Sequence, residues 1–146
     1  MKNVCCSACL LGIACRYDGK SKANEDVLAL KDQYNLIPVC PEVLGGLATP
    51  RTPSEIVGGK VFNKDGIDNT SFFTKGANEA LDVFLKNDCA FAILKDGSPS
   101  CGVHLVNDGT FSGTKIQGEG ICTKLFKKCG IIVYSEEDIR RSKWLD

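Results

Sequence analysis

The stretch Cys89-Ala90-Phe91-Ala92-Ile93-Leu94 is an unbroken apolar run, and the loop Ser98-Pro99-Ser100-Cys101-Gly102 follows it closely. An apolar run of this length, without polar alternation, is typical of a strand that is buried on both faces of a parallel sheet. The loop ends in a thiol beside glycine, which lets the backbone approach a ligand closely. The sequence therefore predicts a buried strand over 89–94 with a functional loop at its carboxyl end.

Two earlier segments repeat this pattern of an apolar run that leads into a thiol. Asn3-Val4-Cys5-Cys6 leads into Cys9, and Leu36-Ile37-Pro38-Val39 leads into Cys40. The carboxyl ends of parallel strands share one edge of an open α/β sheet, and ligands bind in the crevice there. We therefore expect Cys9, Cys40 and Cys101 to lie close together at that edge.

The rest of the chain alternates between strand and helix patterns. This alternation predicts an α/β fold: a single Rossmann-like domain over residues 1–146, with a mostly parallel sheet flanked by helices. The expected strands are 2–6, 36–39, 89–94 and 131–134, and the expected helices are 25–34, 70–87, 118–129 and 135 to about 144. We also expect a long loop over 42–53, a short turn over 54–56, and hairpins over 60–69 and 103–113. The expected helix caps are Asn24 and either Thr70 or Ser71, and Pro38 predicts an irregular or edge strand.

The composition is that of an ordinary globular protein. The chain has 146 residues, 43% of them hydrophobic and 25% charged, which is enough for a real core. Eighteen basic residues balance eighteen acidic ones, so there is no electrostatic reason to expect nucleic acid or an anionic membrane as the main partner. No run approaches the length of a membrane span, and the start of the sequence lacks the apolar core of a signal peptide. We expect a cytoplasmic protein.

Nine cysteines in such a protein favour metal binding or catalysis over disulfides, because the cytosol keeps thiols reduced. Five are expected to be small buried apolar side chains: Cys5, Cys6, Cys89, Cys122 and Cys129. The other four lie in loops: Cys9, Cys15, Cys40 and Cys101. Cys6-x-x-Cys9 has no second pair to complete a zinc ribbon, and as a thioredoxin-like motif it is weak. Separated thiolates at one sheet edge suit an iron–sulfur cluster.

Polar residues near these thiols are candidate site residues, each with a structural alternative. Glu42, two positions after Cys40, could act as a general base, or it could simply begin a helix. The hydroxyl groups of Ser98 and Ser100 could donate hydrogen bonds to a substrate, or they could close the turn before Cys101.

Two arginines lie in or beside the thiol-bearing loops. Arg16 directly follows Cys15, and Arg51 stands between prolines. Either guanidinium could hold an anion, although such forks often tie loops to carboxylates. The one histidine, His104, is expected to be structural, since a histidine-based metal cluster would need more than one.

Longer motifs carry a resemblance to a known family. They run in order along nearly the whole chain: Ser7-Ala8-Cys9-Leu10-Leu11-Gly12, Cys15-Arg16-Tyr17-Asp18-Gly19, Val39-Cys40-Pro41-Glu42-Val43-Leu44-Gly45-Gly46, Pro50-Arg51-Thr52-Pro53, Ser98-Pro99-Ser100-Cys101-Gly102, Asp108-Gly109-Thr110-Phe111 and Gly118-Glu119-Gly120. With these motifs the sequence resembles the DUF523 family, whose characterised members are thiouracil desulfidases. A match of this extent is far more specific than any single motif.

The resemblance implies a [4Fe–4S] cluster that is held by three cysteines and leaves its fourth iron open. On the matching positions it implies ligation by Cys9, Cys40 and Cys101, with Cys15 either a ligand or a neighbour. Glu42 and Ser98 fall on the positions of the family's catalytic acid/base and hydroxyl. Ser100, Arg16 and Arg51 are the further candidates for substrate contact.

The implied activity is a hydrolytic, non-redox desulfuration of a thiolated pyrimidine of the thiouracil or thiouridine type, which gives the oxo base and sulfide. The partner would be a small thiolated base or nucleoside. The physiological substrate, the oligomeric state and the fate of the sulfide stay open. A non-catalytic iron–sulfur or metal-binding redox sensor is the alternative. A Rossmann-like nucleotide-binding module lacks support, because no G-x-G-x-x-G motif and no P-loop occur.

Overall fold

The computed structural model describes the backbone of residues 1–142 and the side chains of residues 1–139. Within that part the strands are β1 (Lys2–Ser7), β2 (Tyr34–Val39), β3 (Ser54–Val57), β4 (Lys60–Asn63), β5 (Ala92–Leu94), β6 (Leu105–Asn107), β7 (Lys115–Gln117) and β8 (Val133–Ser135). The α-helices are α1 (Glu25–Ala29), α2 (Pro41–Leu44), α3 (Thr70–Lys86), α4 (Ile121–Lys128) and α5 (Glu136–Ser142). The expected end of the last helix near Trp144 lies outside the described residues. No helix of the described part is long and apolar enough to cross a membrane.

The main sheet is parallel and has the strand order β2-β1-β5-β8. β1 is central, because it pairs with β2 on one side and with β5 on the other. The chain therefore leaves β1 toward one edge of the sheet and later returns to its other side. Crevices form where such connections diverge, at the carboxyl ends of the strands. The predicted α/β fold with a mostly parallel sheet flanked by helices is confirmed, whereas the single-domain assignment stays a prediction.

Helices cover both faces of this sheet, because successive side chains of a strand point to opposite faces. Cys5 packs in one core with Ala77 and Phe84 of α3 and Phe126 of α4. Cys6 points the other way, into a second core that holds Val27 of α1 and Ile139 of α5. Both thiols are fully buried, as expected. Of the other cysteines predicted to be buried, Cys122 is buried, Cys89 is only half-buried and Cys129 is exposed.

Two glycines bring α2 and α3 into backbone contact. A side-chain carbon at Gly76 would overlap the carbonyl oxygen of Pro41, and one at Gly45 would overlap the carbonyl oxygen of Phe72. No side chain can therefore stand between the two helices. Since α2 begins directly after Cys40, this contact fixes the end of β2 against α3.

The hairpin prediction near residue 60 was partly wrong. Residues 54–56 do not form a turn but belong to β3, which pairs antiparallel with β4. Their connection is Gly58-Gly59, and both glycines have positive φ, as tight hairpin turns require. Residues 67–69 contribute only the single bridge Phe62–Asp68. The Asn63 side chain holds this second turn by accepting hydrogen bonds from the N–H groups of Asp65 and Ile67.

The helix boundaries also differ in places. The Asn24 side chain caps α1 as predicted, accepting from the N–H of Val27 at 3.1 Å, but α1 ends at Ala29 in a short 3-10 turn. Thr70 does not cap α3. Its hydroxyl accepts a hydrogen bond from the N–H of Val61 and donates one to Asp68. The cap position is occupied by Asn69, whose side chain forms no capping hydrogen bond. The long loop expected from residue 42 begins instead with α2. β2 is an edge strand, which suits Pro38.

Other predicted elements are present with shifted bounds. β5 begins at Ala92, so Cys89 precedes the strand that it was expected to open. The second hairpin is formed by β6 and β7, which a long loop connects. A capping box begins α5: Ser135 Oγ accepts from the N–H of Asp138, and Asp138 Oδ2 accepts from the N–H of Ser135.

We predict that Gly76→Ala lowers the free energy of unfolding by about 1–3 kcal/mol, because added volume in a tight contact must push the backbones apart. Without that contact, alanine would stabilise a helix by about 1 kcal/mol relative to glycine. Urea unfolding measures the change. Lys75→Ala, at the exposed neighbouring position, is the control and should change stability by less than about 0.5 kcal/mol. Equal stability of the two variants would contradict the close packing of α2 on α3.

Candidate active site

A cavity of about 380 Å³ opens at the carboxyl edge of the parallel sheet. This volume lies within the range usual for small-molecule sites. The loops after β1, β2 and β5 supply much of its wall, and the hairpins β3–β4 and β6–β7 supply the rest. All of the candidate site residues line it: Cys9, Cys15, Cys40, Cys101, Glu42, Ser98, Ser100, Arg16 and Arg51.

Three of the cavity thiols come from three different strand ends. Cys9 lies in a 3-10 turn after β1, Cys40 is the residue before α2, and Cys101 lies in the loop after β5. Burial, together with the nearby Cys40, raises the pKa of Cys9 to about 11. Burial raises the pKa of Cys101 to about 12 against the lowering effect of hydrogen bonds from Ser7 and Ser100, and Cys9 and Cys40 contribute to the rise. The three thiols are therefore close enough to influence one another, as the strand pattern predicted.

Cys15 lies directly beside Cys40. Cys40 Sγ donates to the Cys15 carbonyl oxygen at 3.7 Å. A hydrogen bond between the two side chains lowers the pKa of Cys40 to about 7 and raises that of Cys15. Cys40 is therefore the thiol of this pair that ionises more readily. Cys6, in contrast, is fully buried in the same hydrophobic core as Cys9, so the two thiols do not form an exposed redox pair.

The cavity thiols form a donor set that suits an iron–sulfur cluster. Among residues 1–139, no three Cys, His, Asp or Glu side chains are grouped as the ligands of one ion. In an iron–sulfur cube each cysteine binds a different iron, so the thiols surround a volume rather than converge on one atom. Thiols from three loops around one cavity match that requirement. Cys9, Cys40 and Cys101 are therefore the residues that could hold such a cluster, with Cys15 adjacent.

Glu42 is held by two partners from different loops. Arg51 Nε donates to its Oε1 at 3.1 Å, and Ser100 Oγ donates to its Oε2 at 2.7 Å. The Arg51 and Glu42 side chains are only 8% and 13% exposed, so this ion pair is largely shielded from water. Hydrogen bonds that involve ionised groups are shorter and stronger than neutral ones. The carboxylate is therefore fixed in orientation at the cavity wall.

The Arg51 guanidinium also ties together two loops. Nη2 donates to the Cys15 carbonyl oxygen at 3.0 Å. Nη1 donates to the Ala48 carbonyl oxygen and contacts Thr49 Oγ1, both at 3.2 Å. The planar fork of arginine makes such multiple, directed contacts, which a lysine could not reproduce. Arg51 thus joins the cysteine loop after β1 to the carboxylate after β2.

The two serines of the loop after β5 have different contacts. Ser98 Oγ accepts from the N–H of Cys101 at 2.7 Å, which closes the turn. Ser100 Oγ contacts Glu42 directly and lies 3.3 Å from Ser98 Oγ. Ser100, which the resemblance did not place in a catalytic role, is therefore the hydroxyl that touches the carboxylate.

The remaining candidates differ in position. Arg16 lines the cavity and forms an ion pair with Asp18 at 3.6 Å, and its guanidinium lies 5.5 Å from the centre of the Tyr17 ring. His104 does not line the cavity; its Nε2 lies 2.9 Å from Asp138 Oδ2, which agrees with a structural role.

Two acidic residues that the sequence did not single out shape the cavity wall. Asp96 Oδ1 accepts hydrogen bonds from four backbone N–H groups at 2.9–3.0 Å, those of Gly97, Val103, His104 and Leu105. Burial alone would raise the pKa of Asp96, but these donors outweigh it and hold the pKa below its usual value. Glu55, in β3, accepts from the N–H groups of Gly109 and Phe111. The position of Asp96, two residues after a buried strand, was a usable signal, whereas nothing in the sequence marked Glu55.

Comparison with known proteins gives three similarities. The family described as 2-thiouracil desulfurase matches residues 4–138. The uncharacterized protein YbbK of Bacillus subtilis strain 168 is 40% identical, over 91% of this chain and 95% of that protein. A solved structure described as the [4Fe–4S]-dependent thiouracil desulfidase TudS is 42% identical, covers 96% of this chain and 94% of that chain, and has a TM-score of 0.90. All four cavity cysteines lie within the range that the family matches.

We predict that Arg51→Ala destabilises the protein by up to about 3–5 kcal/mol, because it removes the cationic partner of the largely shielded Glu42 carboxylate, which then keeps only its hydrogen bond from Ser100. Chemical unfolding under reducing conditions measures this loss. Thr49→Ala is the matched control, since it removes only one of the contacts of Arg51 and should cost about 0.5–1.5 kcal/mol. Equal losses in the two variants would show that the contact of Arg51 with Glu42 contributes nothing to stability.

Proposed function

The chain belongs to the 2-thiouracil desulfurase family, DUF523, and we therefore propose that it is a [4Fe–4S]-dependent desulfidase that hydrolyses the C–S bond of a thiolated pyrimidine. The observation that carries this proposal is the common cavity of Cys9, Cys40, Cys101 and Glu42 at the carboxyl edge of the sheet. Three soft ligands and one oriented carboxylate in a single cavity suit a reaction that captures sulfur and activates water.

Cys9, Cys40 and Cys101 would hold the cluster, one on each of three irons. When bound, such a cluster supplies an iron with a free coordination position, a Lewis acid with affinity for the soft sulfur of a thiocarbonyl group. Cations of the chain favour this arrangement. Lys95 and Arg16 lower the pKa of Cys9, which opposes the effect of burial. They therefore help this thiol to release the proton that it must lose in order to bind metal.

Glu42 is the proposed general base. Its carboxylate takes a proton from a water molecule in the cavity, so that the oxygen can add to the ring carbon that bears sulfur. Arg51 and Ser100 keep the carboxylate in one orientation, and Ser98 holds the backbone of the loop that carries Ser100 and Cys101. The proton then returns to the ring or to the departing sulfur. Water and the thiocarbonyl compound give the carbonyl compound and hydrogen sulfide, with no net transfer of electrons.

The physiological partner would be a small thiolated base or nucleoside, encountered in the cytoplasm. A non-catalytic redox sensor is the less favoured alternative, because sensing alone does not require an oriented carboxylate such as Glu42 at the cavity wall. The two readings make different chemical predictions: both expect iron in the protein, but only the enzyme releases sulfide from a thiolated pyrimidine.

The proposed function is tested with protein that has been purified and reconstituted without oxygen. It is incubated with 2-thiouracil, 4-thiouracil or 4-thiouridine, and sulfide and the oxo product are measured together. Equal amounts of the two products, dependent on bound iron, would support the proposal. Bound iron without sulfide release from any of the three compounds would favour the sensor.

We predict that Cys9→Ser, Cys40→Ser and Cys101→Ser each lose most of the bound iron and its visible absorbance, because a serine oxygen is a poor ligand for a soft site. Iron and acid-labile sulfide are measured after anaerobic reconstitution. Cys129→Ser, which changes an exposed thiol, is the control and should load normally. Cys15→Ser tests the fourth cavity thiol: normal iron would identify it as a neighbour, and loss of iron would identify it as a ligand.

We predict that Glu42→Gln loads iron like the unaltered protein but loses desulfuration by roughly 10²-fold or more, the scale of a positioned acid–base group. Glutamine keeps the shape and a hydrogen-bond acceptor but cannot take the proton. Iron content and sulfide release are measured side by side. Retention of both would remove the base from the proposed mechanism, and loss of iron would place Glu42 in the cluster shell instead.

A further inference from the structure

The loop between β6 and β7 carries an aromatic side chain at the cavity. This loop contains the motif Asp108-Gly109-Thr110-Phe111, to which the reaction described above assigns no role. Phe111 lines the cavity, on the side formed by the small hairpins. Its ring is half-buried. A large apolar residue at a mostly polar loop tip needs a physical explanation.

The backbone of Phe111 is held in an unfavourable conformation. Its φ is +57°, in the left-handed region that glycine and asparagine adopt far more readily than a bulky residue. Asp88, at the end of α3, is the other residue besides glycine with positive φ in the described part of the chain. Strain of this kind persists only where surrounding contacts impose it, and it is concentrated at functional sites.

A buried carboxylate supplies the contacts that hold the strained backbone of Phe111. Glu55 is only 6% exposed, and its Oε1 accepts from the N–H of Gly109 at 3.0 Å and from the N–H of Phe111 at 3.1 Å. A side-chain carbon at Gly109 would lie 2.9 Å from the carbonyl oxygen of Ile56, so the loop rests on β3 itself. Glu55 and β3 therefore fix the backbone from which the Phe111 ring projects.

Core packing does not explain the ring. Phe111 belongs to neither hydrophobic core of the described residues, and within those residues it has no partner among the aromatic ring pairs. The second aromatic residue of the cavity, Tyr17, already lies against the Arg16 guanidinium. Phe111 therefore offers the cavity an aromatic face that no other ring among the described side chains covers.

We propose that Phe111 is the surface on which the planar ring of the thiolated heterocycle stacks, and that it thereby determines the specificity of the cavity for flat aromatic substrates. This inference rests on the proposed function. Every nucleobase has a π face, so stacking selects planar heterocycles without requiring a particular ring substituent. The contacts of Glu55 hold the loop backbone in a strained conformation, and this fixes the position from which the Phe111 ring projects at the cavity.

If Phe111 stacks on the substrate, replacing it with asparagine should preserve or raise stability and should weaken binding. Asparagine tolerates positive φ, so Phe111→Asn should leave the melting temperature unchanged or raise it. The same change should raise the Kd of uracil, the product analogue, and the KM of the thiolated pyrimidines by roughly 5- to 140-fold, the scale of one base–aromatic stack. Phe111→Tyr should keep both constants within about twofold, because tyrosine retains the aromatic face. Asp88→Asn, matched in backbone conformation but distant from the cavity, should leave binding unchanged.

The measurements use reconstituted protein, with calorimetry for uracil and sulfide release for 2-thiouracil, 4-thiouracil and 4-thiouridine. Unchanged Kd and KM in Phe111→Asn would overturn the inference. If Phe111→Asn instead lowers the melting temperature, Phe111→Leu decides, because leucine fills the same space without a flat face: weak binding supports stacking, and normal binding overturns it. Failure of the unaltered protein to act on any of the three compounds would count against the proposed function, whereas normal turnover with insensitive Phe111 variants would count against this inference alone.

Discussion

The parallel pairing of β1 with β2 on one side and β5 on the other is the constraint from which the site follows. Because all three strands run in the same direction, the loops that carry Cys9, Cys40 and Cys101 must leave the sheet at the same edge. Covering both faces with helices leaves that edge as the open surface where these loops meet. The flanking cores hold the strands in register, so the three loops begin at fixed positions along that edge.

Carboxylates that are buried or half-buried then join the loops to one another. Glu42 contacts Arg51 and Ser100. Asp96 accepts hydrogen bonds from backbone N–H groups of the loop after β5, and Glu55 does the same for the loop that carries Phe111. Each would be costly to bury without partners, so each strongly favours the one arrangement in which its donors are present. No buried side-chain oxygen or nitrogen of the described residues lacks a hydrogen-bond partner. The polar wall of the cavity is therefore specified as fully as the apolar cores.

The sequence predicted those features that depend on local pattern. The apolar run before Cys101 and the similar runs before Cys9 and Cys40 identified the strands and the shared edge, and the motifs identified the family, which the comparisons confirm. β3 was mistaken for a turn, because Ser54-Glu55 has a polar start and the strand is stabilised by pairing with β4. The hydrogen-bond partners of Asp96 and Glu55 could not be predicted from the sequence. They are backbone N–H groups of loops whose course only the tertiary structure defines. The roles of individual site residues stay predictions.

The way in which the site residues are held bears on how it would work. Glu42 is oriented by Arg51 from one loop and by Ser100 from another, and neither contact requires a substrate. Preorganised groups of this kind cost little reorganisation when charge develops during a reaction. Conversely, a change in any one loop would displace partners in the others, because the cysteine loop, the Arg51 loop and the serine loop share hydrogen bonds. The cavity thiols and the Glu42 carboxylate therefore belong to one connected structure, and their relative geometry is fixed before any substrate binds.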